Sequence, residues 1–547
     1  MDQKQRFQAR VEDISMRAQQ MRELCVNSQF DKASGAYIDD PAARLAAIDG
    51  VAATMPMFES LTEGHRREVV SAMASSVVEY EKQFGELPRD EVFAAAHKAM
   101  ENMLILEGAN KAGNEGQMMM ESIGSSLSES SGVEIRAKMV GLILPTMLAT
   151  ATSDAVTYIP GANDEVEIFK VRRVAGSNFG DLKRGEEIDS TTVGQYSQMR
   201  QRYKFPAAQQ PDGTKTEFAF KAKTDLSMGI DIPVKKGTAA IYYNRRRVAT
   251  DFDQKNGRLY GEVPQTDGTM ISISGTVDYT NCSIVVTPAT ALPAGELHVM
   301  FEIDIEASPE LIPTIDHDMT SCKLRPSQAA IAADATIQAM FAMNREYNID
   351  LKSMQMSHLR NFLANEKAVR HLTDIDFACV NESTFNLYCP ADADWKLHRE
   401  LLRQTLLNIS TNILELTKTV GLIGMFAGRQ ACTVLKSMGP DFFQPAAGYQ
   451  QTNNIHFAGT LFGMWKVYEA PIVIGEWDVL CYGRGASHSD AGYVAGDAIP
   501  ATMYNHPIGT NLRSRNTLWE LAYGEVHPFD GANYFHRLHL VDVAPTK

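Results

Sequence analysis

Residues 229–307 carry the pattern that most restricts how this chain of 547 residues can fold. Short runs rich in β-branched and aromatic residues recur there, separated by Gly, Asp, Asn and Pro. Residue types alternate in 270–274 and again in 299–303. Short alternating strands with frequent turns are typical of a small β-sandwich. Strand-like sequence lies on both sides of the segment, so we predict a β-sandwich domain of residues 229–307 that is inserted into a larger domain.

The length and charge of the chain restrict its class further. At roughly 150 residues per domain, a chain of this length is expected to form two to four domains. Apolar residues make up 44% and charged residues 22%, which is ordinary for a globular protein and argues against wholesale disorder. The formal net charge is -15, whereas binding to nucleic-acid phosphates needs a basic face. The composition therefore argues against a nucleic-acid-binding protein.

An acidic helical region is predicted for residues 1–121. Residues 1–130 hold 13 basic and 21 acidic side chains, so they contribute -8 of the net charge. Apolar residues recur there at helical spacing, and Leu87-Pro88 separates two of the predicted helices. Six of the ten residues in 122–131 are Ser, which predicts a linker.

The remaining sequence alternates between strand and helix patterns. Residues 165–225 are strand-rich but largely polar, which predicts an extended hairpin that reaches away from the core. Together the patterns indicate an α+β protein. Helices are predicted at Gln328–Arg345, Asp350–Leu372, Ala393–Thr417 and Arg429–Met438, and strands at Val420–Phe426, Thr460–Val467, Asp478–Tyr482, Tyr493–Ile499 and Trp519–Val526.

The motifs of common enzyme classes are absent from the sequence. It has no phosphate-binding GxxxxGK[ST], no zinc-binding HExxH and no GxSxG nucleophile motif. His536 and His539 have the spacing of metal ligands, but their surroundings predict a strand, in which they face opposite ways. Asp316-His317-Asp318 suggests an acid–base pair, but successive residues of a strand also point apart, which argues against one. We therefore predict no catalytic residue, metal site or cofactor.

Three further features have ordinary structural interpretations. Arg245-Arg246-Arg247 is followed by Asp251 and Asp253, which favours a solvated strand edge in which two of the arginines share a face. The Gly-rich segment Gly483–Gly492 lacks the lysine of a nucleotide-binding loop and is interpreted as a turn. Eleven of the 26 methionines lie in the first 120 residues, which is more typical of adaptable helix packing than of a binding face.

The cysteines and the apolar segments indicate the compartment. Seven cysteines, an odd number, are scattered from Cys25 to Cys481 without a CxxC pair, which predicts free thiols in a reducing compartment. The N-terminus lacks the apolar core of a signal peptide, and the apolar run Met139–Ala149 is too short to span a bilayer. We expect a soluble protein that is made inside the cell.

The order of these segments resembles the major capsid proteins of tailed bacteriophages, which have the Hong Kong 97 fold, and most closely the T-even-like head proteins of large myophages. The resemblance covers residues 130–535, about three quarters of the chain. It rests on five stretches in this order: Lys138–Ala149, Gln328–Asp374, Val420–Met438, Gly459–Pro471 and Asp490–Thr502.

The resemblance implies a division of the chain into the parts of a capsid protein. The predicted hairpin becomes the extended loop that clasps a neighbouring subunit, and the β-sandwich becomes a domain carried on that loop. The implied parts are a scaffold-like or inner N-terminal region (1–121), a linker and N-terminal arm (122–150), the extended-loop strands (151–228 and 308–327), the inserted domain (229–307), a peripheral domain with its spine helix (328–392), and an axial domain with returning peripheral strands (393–547).

The resemblance also implies a function. The chain is expected to self-assemble into hexamers and pentamers of an icosahedral phage head that encloses double-stranded DNA, first in the host cytoplasm and then in the virion. Other copies of the chain are its main partners, with portal, scaffold, decoration or cement proteins as further ones. Relatives shed the N-terminal region after a Leu/Ile-x-Glu sequence. Glu129 fits this pattern, although Ile105-Leu106-Glu107 and Ile413-Leu414-Glu415 fit it too.

Two alternatives stay open. An encapsulin-type nanocompartment has the same fold but normally lacks the inserted β-domain and the long acidic N-terminal region. A multidomain enzyme with an immunoglobulin-like accessory domain is the alternative from a different class.

Overall fold

The computed structural model describes residues 3–31, 34–59, 61–112, 140, 143–148, 150–161, 165–188, 196–226, 228–252, 256–265, 268–347, 351–389, 395–446, 449–506 and 513–543. The chain divides into two compact units: unit 1 contains Met1–Lys170 and Thr320–Lys547, and unit 2 contains Val171–Met319. Helices and largely antiparallel sheets occur together, so the predicted α+β class is confirmed at the level of a mixed α/β protein. The Ser-rich linker at 122–131 lies outside the described residues.

Four helices form the N-terminal part of unit 1. They are Gln3–Cys25 (α1), Pro41–Ala52 (α2), Glu63–Phe84 (α3) and Asp90–Ala112 (α4). The carboxylate of Asp40 accepts hydrogen bonds from two backbone N–H groups in the first turn of α2 and so caps that helix. Helix α3 ends at Gly85, whose φ of 75° suits a residue without Cβ. The predicted break at Leu87-Pro88 lies between α3 and α4.

A four-stranded sheet of unit 1 is covered by a long helix. The strands are Val156–Tyr158 (β1), Ser327–Thr336 (β12), Tyr493–Asn505 (β19) and Arg513–Val526 (β20), in the order β1-β19-β20-β12. Ile337–Tyr347 (α6) follows β12, and Leu351–Ala378 (α7) packs on the sheet. Leu359 and Leu363 of α7 are buried against Leu518 of β20. The spacing of four residues places both leucines on one helix face, so this face fixes α7 on the sheet.

Unit 1 also contains a seven-stranded sheet. Its strands are Glu382–Asn386 (β13), Leu422–Ala427 (β14), Phe443–Pro445 (β15), His456–Leu461 (β16), Trp465–Glu469 (β17), Asp478–Gly483 (β18) and Phe535–Val541 (β21), in the order β13-β21-β18-β14-β17-β16-β15. Trp395–Thr417 (α8) and Arg429–Lys436 (α9) share one core with this sheet. Helix α8 buries Leu402, Leu406, Ile409 and Ile413, an apolar stripe with helical spacing.

Two long strands connect the units along the chain. Val166–Ala175 (β2) leads from unit 1 into unit 2, and Ile315–Leu324 (β11) leads back. The two strands form a two-stranded sheet. The described residues also form short 3₁₀ turns at Asn27–Gln29, Pro56–Phe58, Ala207–Gln209, Pro309–Leu311 and Gly531–Tyr534.

Unit 2 contains one antiparallel eight-stranded sheet. Its strands are Arg200–Lys204 (β3), Phe218–Lys221 (β4), Ala240–Tyr243 (β5), Arg246–Thr250 (β6), Arg258–Pro264 (β7), Met270–Asp278 (β8), Ser283–Pro288 (β9) and Leu297–Glu302 (β10), in the order β3-β10-β5-β6-β7-β8-β9-β4; the short helix Ala222–Asp225 (α5) follows β4. The rings of Tyr203 in β3 and Phe220 in β4 stack with centroids 6.4 Å apart. Because β3 and β4 are the two ends of the strand order, this contact requires the sheet to curl onto itself.

The predicted inserted domain is therefore corrected in two respects. It was expected to be a two-sheet sandwich of residues 229–307, but its strands form one curled sheet. Its sheet also includes β3 and β4, which lie in the range 151–228 predicted for the extended-loop strands. Phe218 and Phe220 alternate toward the core of unit 2 and are buried there, and this burial places β4 in the sheet.

Two predictions in unit 1 were also wrong. The helix expected at Gln328–Arg345 is strand β12 up to Thr336 and becomes helical only from Ile337. Ten residues of β12 pair with β20, and this pairing outweighs the helix propensity of its many alanines. The single strand expected at Thr460–Val467 is a hairpin of β16 and β17, whose turn includes Phe462 and Gly463 at positive φ.

Candidate functional site

Asp154 is a buried hub where the N-terminal helices meet the seven-stranded sheet. Its carboxylate accepts hydrogen bonds from the hydroxyls of Tyr80 in α3, at 3.3 Å, and Tyr468 in β17, at 2.6 Å. Lys466 Nζ lies 3.1 Å from the same carboxylate and 2.6 Å from Glu86 Oε1. Burial, together with the Asp154 charge, raises the pKa of Tyr80 and also that of Tyr468. Both phenols therefore remain neutral hydrogen-bond donors at physiological pH.

Arg484 completes this junction from the segment after β18. Its side chain is fully buried, and its Nη2 lies 3.2 Å from Glu91 Oε2 of α4. Nη1 also donates to the backbone oxygen of Ser153 at 2.8 Å. Burial, assisted by the Arg89 charge, lowers the pKa of Arg484 to about 10, which still leaves the guanidinium charged. The arrangement fixes two segments that are distant in sequence.

A second buried charge cluster joins α7 to the four-stranded sheet. Lys367 Nζ lies 2.7 Å from Asp497 Oδ1 of β19 and 2.9 Å from Glu520 Oε2 of β20. Burial opposes the charge of Lys367, but the two carboxylates outweigh this effect and raise its pKa. Burial raises the pKa of Glu520. A cavity of only about 50 Å³ lies beside this cluster, which leaves little room for a substrate.

Large apolar side chains are exposed around the end of α7. Phe377, the second-last residue of the helix, is 91% exposed, and Val380 is 73% exposed. Phe341 of α6 and Phe362 of α7 are also more than half exposed. Single exposed apolar residues are common, but a nearly fully exposed Phe three residues from an exposed Val is a candidate protein-protein contact.

The sheets of unit 1 end on strands that have only one partner among the described residues. Strand β12 pairs with β20 along ten residues, and β13 pairs with β21 along five. The other edge of such a strand presents backbone N–H and C=O groups that can pair with another chain. These edges, together with Phe377 and Val380, are the candidate assembly surfaces.

The two histidines with metal-like spacing have separate partners. His536 and His539 lie in β21, which is a strand as predicted. His536 Nε2 lies 3.0 Å from Ser383 Oγ, whereas His539 Nδ1 lies 2.6 Å from Asp478 Oδ1. Within the part of the chain that the structure describes, no group of three or more His, Cys, Asp or Glu side chains could hold a metal ion.

The other singled-out segments belong to unit 2. Asp316, His317 and Asp318 are exposed in β11. Arg245 was expected in a strand, but it lies with Asn244 in the turn between β5 and β6, and both have positive φ. Such a turn is the usual two-residue connection of a hairpin. Only Arg246 and Arg247 are in β6, on opposite faces, so the predicted sharing of a face is wrong.

Sequence reasoning missed Arg484 while placing its segment correctly. Gly483–Gly492 forms a turn whose ends are joined by a bridge between Arg484 and Ala491. The only available signal was a lone basic residue between two glycines. Glu129 lies outside the described residues, and so does the linker around it.

Two further observations concern the whole described chain. No described helix is both long and apolar enough to cross a membrane. No two of the seven cysteines, all of which the structure describes, form a disulfide.

Several solved structures are similar to parts of this chain. The capsid protein of jumbo bacteriophage PhiKZ is 7% identical with a TM-score of 0.39, and the match covers 72% of this chain and 92% of that one. The mature capsid of bacteriophage PhiM1 gives 11% and 0.28, over 42% and 76%. The SrpI encapsulin of Synechococcus elongatus gives 12% and 0.28, over 43% and 80%. All three TM-scores are below 0.5.

The sequence comparisons concern a shorter part of the chain. Residues 2–150 match the model of a domain of unknown function, DUF8615. Protein IncB of Escherichia coli is 33% identical over 174 residues, which are 32% of this chain and 83% of that protein. At this identity and coverage of the relative, the chain belongs to the same family as Protein IncB.

Proposed function

We propose that this chain is a structural capsid protein with a Hong Kong 97-type fold, whose copies form the shell of a phage head. The observation that carries the proposal is the arrangement of parts along the chain. A long helix, α7, packs on one sheet, a strand-helix-strand path of β14, α9 and β16–β17 builds another, and two long strands lead to a separate β-unit. This arrangement of a helix-covered sheet, a second sheet with its helix and a separate β-domain supports the proposal.

The buried charges of unit 1 support a structural role. Arg484 and Lys367 each pair with carboxylates on other elements, so each ties distant segments together. A rigid body of this kind suits a subunit that must keep its shape while it makes heterologous contacts around five-fold and six-fold axes. The open edges of β12 and β13 and the exposed Phe377 and Val380 are the surfaces from which such contacts can be made.

The net charge agrees with a container for DNA. At -15, the chain does not bind phosphates strongly overall, so packaged DNA can move against the wall. We propose hexamers and pentamers as the assembly units, double-stranded DNA as the content, and a T-even-like head as the nearest type. Portal, scaffold, decoration and cement proteins are proposed as further partners, and catalysis is not part of the role.

Negative-stain microscopy of the purified full chain tests the proposal. Closed shells or rings tens of nanometres across are expected. Small oligomers under all assembly conditions would overturn the proposal and favour a multidomain enzyme. The content of purified shells separates the remaining alternative, because nuclease-protected DNA fits a phage head, whereas a cargo enzyme fits an encapsulin-type compartment.

A further inference from the structure

The N-terminal helices and the sheets of unit 1 share one hydrophobic core. Met21 of α1 and Phe93 of α4 are fully buried in the same cluster as Tyr482 of β18 and Phe535 of β21. Phe426, Tyr468 and Leu480 of the seven-stranded sheet belong to it as well. The two parts of unit 1 therefore have no separate cores along this face.

Directional hydrogen bonds fix the N-terminal helices on the rest of unit 1, which we call the body. Asn102 of α4 is buried, and its Nδ2 donates to the backbone oxygens of Gly161 and Ala498, each at 2.8 Å. Arg89 Nη1 donates to the oxygen of Gly485 at 2.9 Å. Together with the pair between Glu91 and Arg484, these bonds set one position and orientation of α4.

Helix α1 is held at a different point of the body. Arg6 Nη1 lies 2.8 and 2.9 Å from the two carboxylate oxygens of Glu167, and Arg10 Nη2 donates to the oxygen of Pro160 at 2.7 Å. The ring of Phe7 packs edge-on against that of Phe169, with centroids 5.7 Å apart. Helices at both ends of the N-terminal region are thus attached to the body.

Release of the helices would expose what they now cover. The side chains of the sheets that belong to this shared core would lose part of their cover, and soluble proteins rarely leave a contiguous apolar surface uncovered. Arg484 would lose the carboxylate partner of its buried guanidinium. Both effects oppose separation even when the peptide chain no longer joins the two parts.

We propose that α1–α4 are a permanent layer of the folded subunit, held by non-covalent contacts, and that a cut in the chain between 122 and 131 does not detach them. The partner of the body surface around Arg484 is thus the chain's own N-terminal region. In a shell, the layer would stay in place after maturation; this consequence rests on the proposed function, whereas the contacts themselves do not.

A cut made after folding tests the inference on the unassembled full chain. The recognition sequence of a site-specific protease is inserted between Ser125 and Ser126. The folded protein is cut until denaturing electrophoresis shows complete cleavage. The product is then run on a native size-exclusion column. The two fragments are expected to elute together in equal amounts. Separate elution of the N-terminal fragment, or aggregation of the C-terminal fragment without it, would overturn the proposal.

A matched pair of variants shows whether the named contacts hold the fragments together. In the cut protein, Asn102→Ala is expected to make the bound N-terminal fragment exchange with free copies of that fragment several-fold faster, because the substitution removes two buried hydrogen bonds. Glu63→Gln, which changes an exposed ion pair with Arg67 within α3, is expected to leave the exchange rate unchanged. Equal exchange rates for both variants would show that the buried hydrogen bonds of Asn102 are not what retains the helices. None of these measurements needs a shell, so failure of the proposed function would leave their outcome intact.

Discussion

Arg484 Nη2 lies 3.2 Å from Glu91 Oε2, and the side chains of both residues are buried although 393 positions separate them in the sequence. A buried guanidinium without a carboxylate partner is strongly unfavourable. The contact therefore couples the folding of α4 to that of the seven-stranded sheet. Changes on either side are expected to affect the stability of the whole of unit 1.

Replacing Glu91 with Gln should lower the free energy of unfolding by about 3 kcal/mol, because Arg484 stays buried and loses its charged partner. Urea denaturation of the unassembled chain, followed by circular dichroism, measures the change. The exposed Glu63 serves as the control, and Glu63→Gln should change the free energy by less than about 0.5 kcal/mol. Equal effects of the two substitutions would contradict the role of the buried pair.

Lys367→Met should destabilise the packing of α7 by about 3 kcal/mol. The substitution removes the ammonium group between Asp497 and Glu520 and leaves two buried carboxylates close together. Thermal unfolding measures the loss as a lower melting temperature. Arg370→Met, one helical turn further along α7 at a half-exposed position, is the matched control and should have a much smaller effect. A melting temperature unchanged by Lys367→Met would show that the cluster is not stabilising.

Acid should destabilise the N-terminal helices through His97. Burial, with help from the Arg17 charge, lowers the pKa of His97 to about 4, and Arg17 Nη1 lies 3.0 Å from its Nδ1. The unfolded chain therefore takes up this proton at a higher pH than the folded chain does. The contribution of His97 is complete above its ordinary pKa of 6.5 and is lost as the pH falls toward about 4.

The free energy of unfolding, measured in urea at several pH values, tests this effect. Between about pH 7.5 and about pH 5, the wild type should lose about 2 kcal/mol more than His97→Gln does. The exposed His317 provides the control, and His317→Gln should follow the wild type. If His97→Gln also followed the wild type, the histidine would not be the source of the acid sensitivity.

Alkylation should distinguish two classes of cysteine. Burial raises the pKa of the Cys25 thiol to about 12 and that of Cys379 to about 11, so neither forms the reactive thiolate readily. Cys322 and Cys389 are only half-buried. In the native unassembled chain, iodoacetamide should therefore label these two first, and peptide mass spectrometry can measure the order. Labelling of the fully buried Cys481 at the rate of Cys322 would contradict the fold.

If the proposed function is correct, the apolar pair at the end of α7 contributes to contacts between subunits. Phe377→Asp should preserve the circular dichroism spectrum, because the side chain is 91% exposed, but should lower the yield of shells several-fold. Met16→Asp, at a half-exposed position in α1, is the comparison. Shell yields counted by microscopy that do not differ between Phe377→Asp and the wild type would exclude this surface from assembly.

The sequence indicated those elements whose pattern is local. The helical spacing of Val69, Met73 and Val77 predicted α3, because a helix repeats within a few residues, and the alternation in 270–274 predicted β8 for the same reason. The α+β class followed from such patterns. Strand β12 was misassigned because its alanines favour a helix locally, while its partner β20 lies almost two hundred residues further along the chain.

Composition and periodicity thus determined the element types, the acidic helical region and the strand-rich segment that became unit 2. Tertiary structure alone decided that the N-terminal helices share a core with the sheets of unit 1. It also decided that the strands of unit 2 form one curled sheet, and that Arg484 is the partner of Glu91. The physical reason is that burial and ion pairing depend on distances between segments far apart in the chain. A linear pattern contains the residues that can pair but not the distances that select among them.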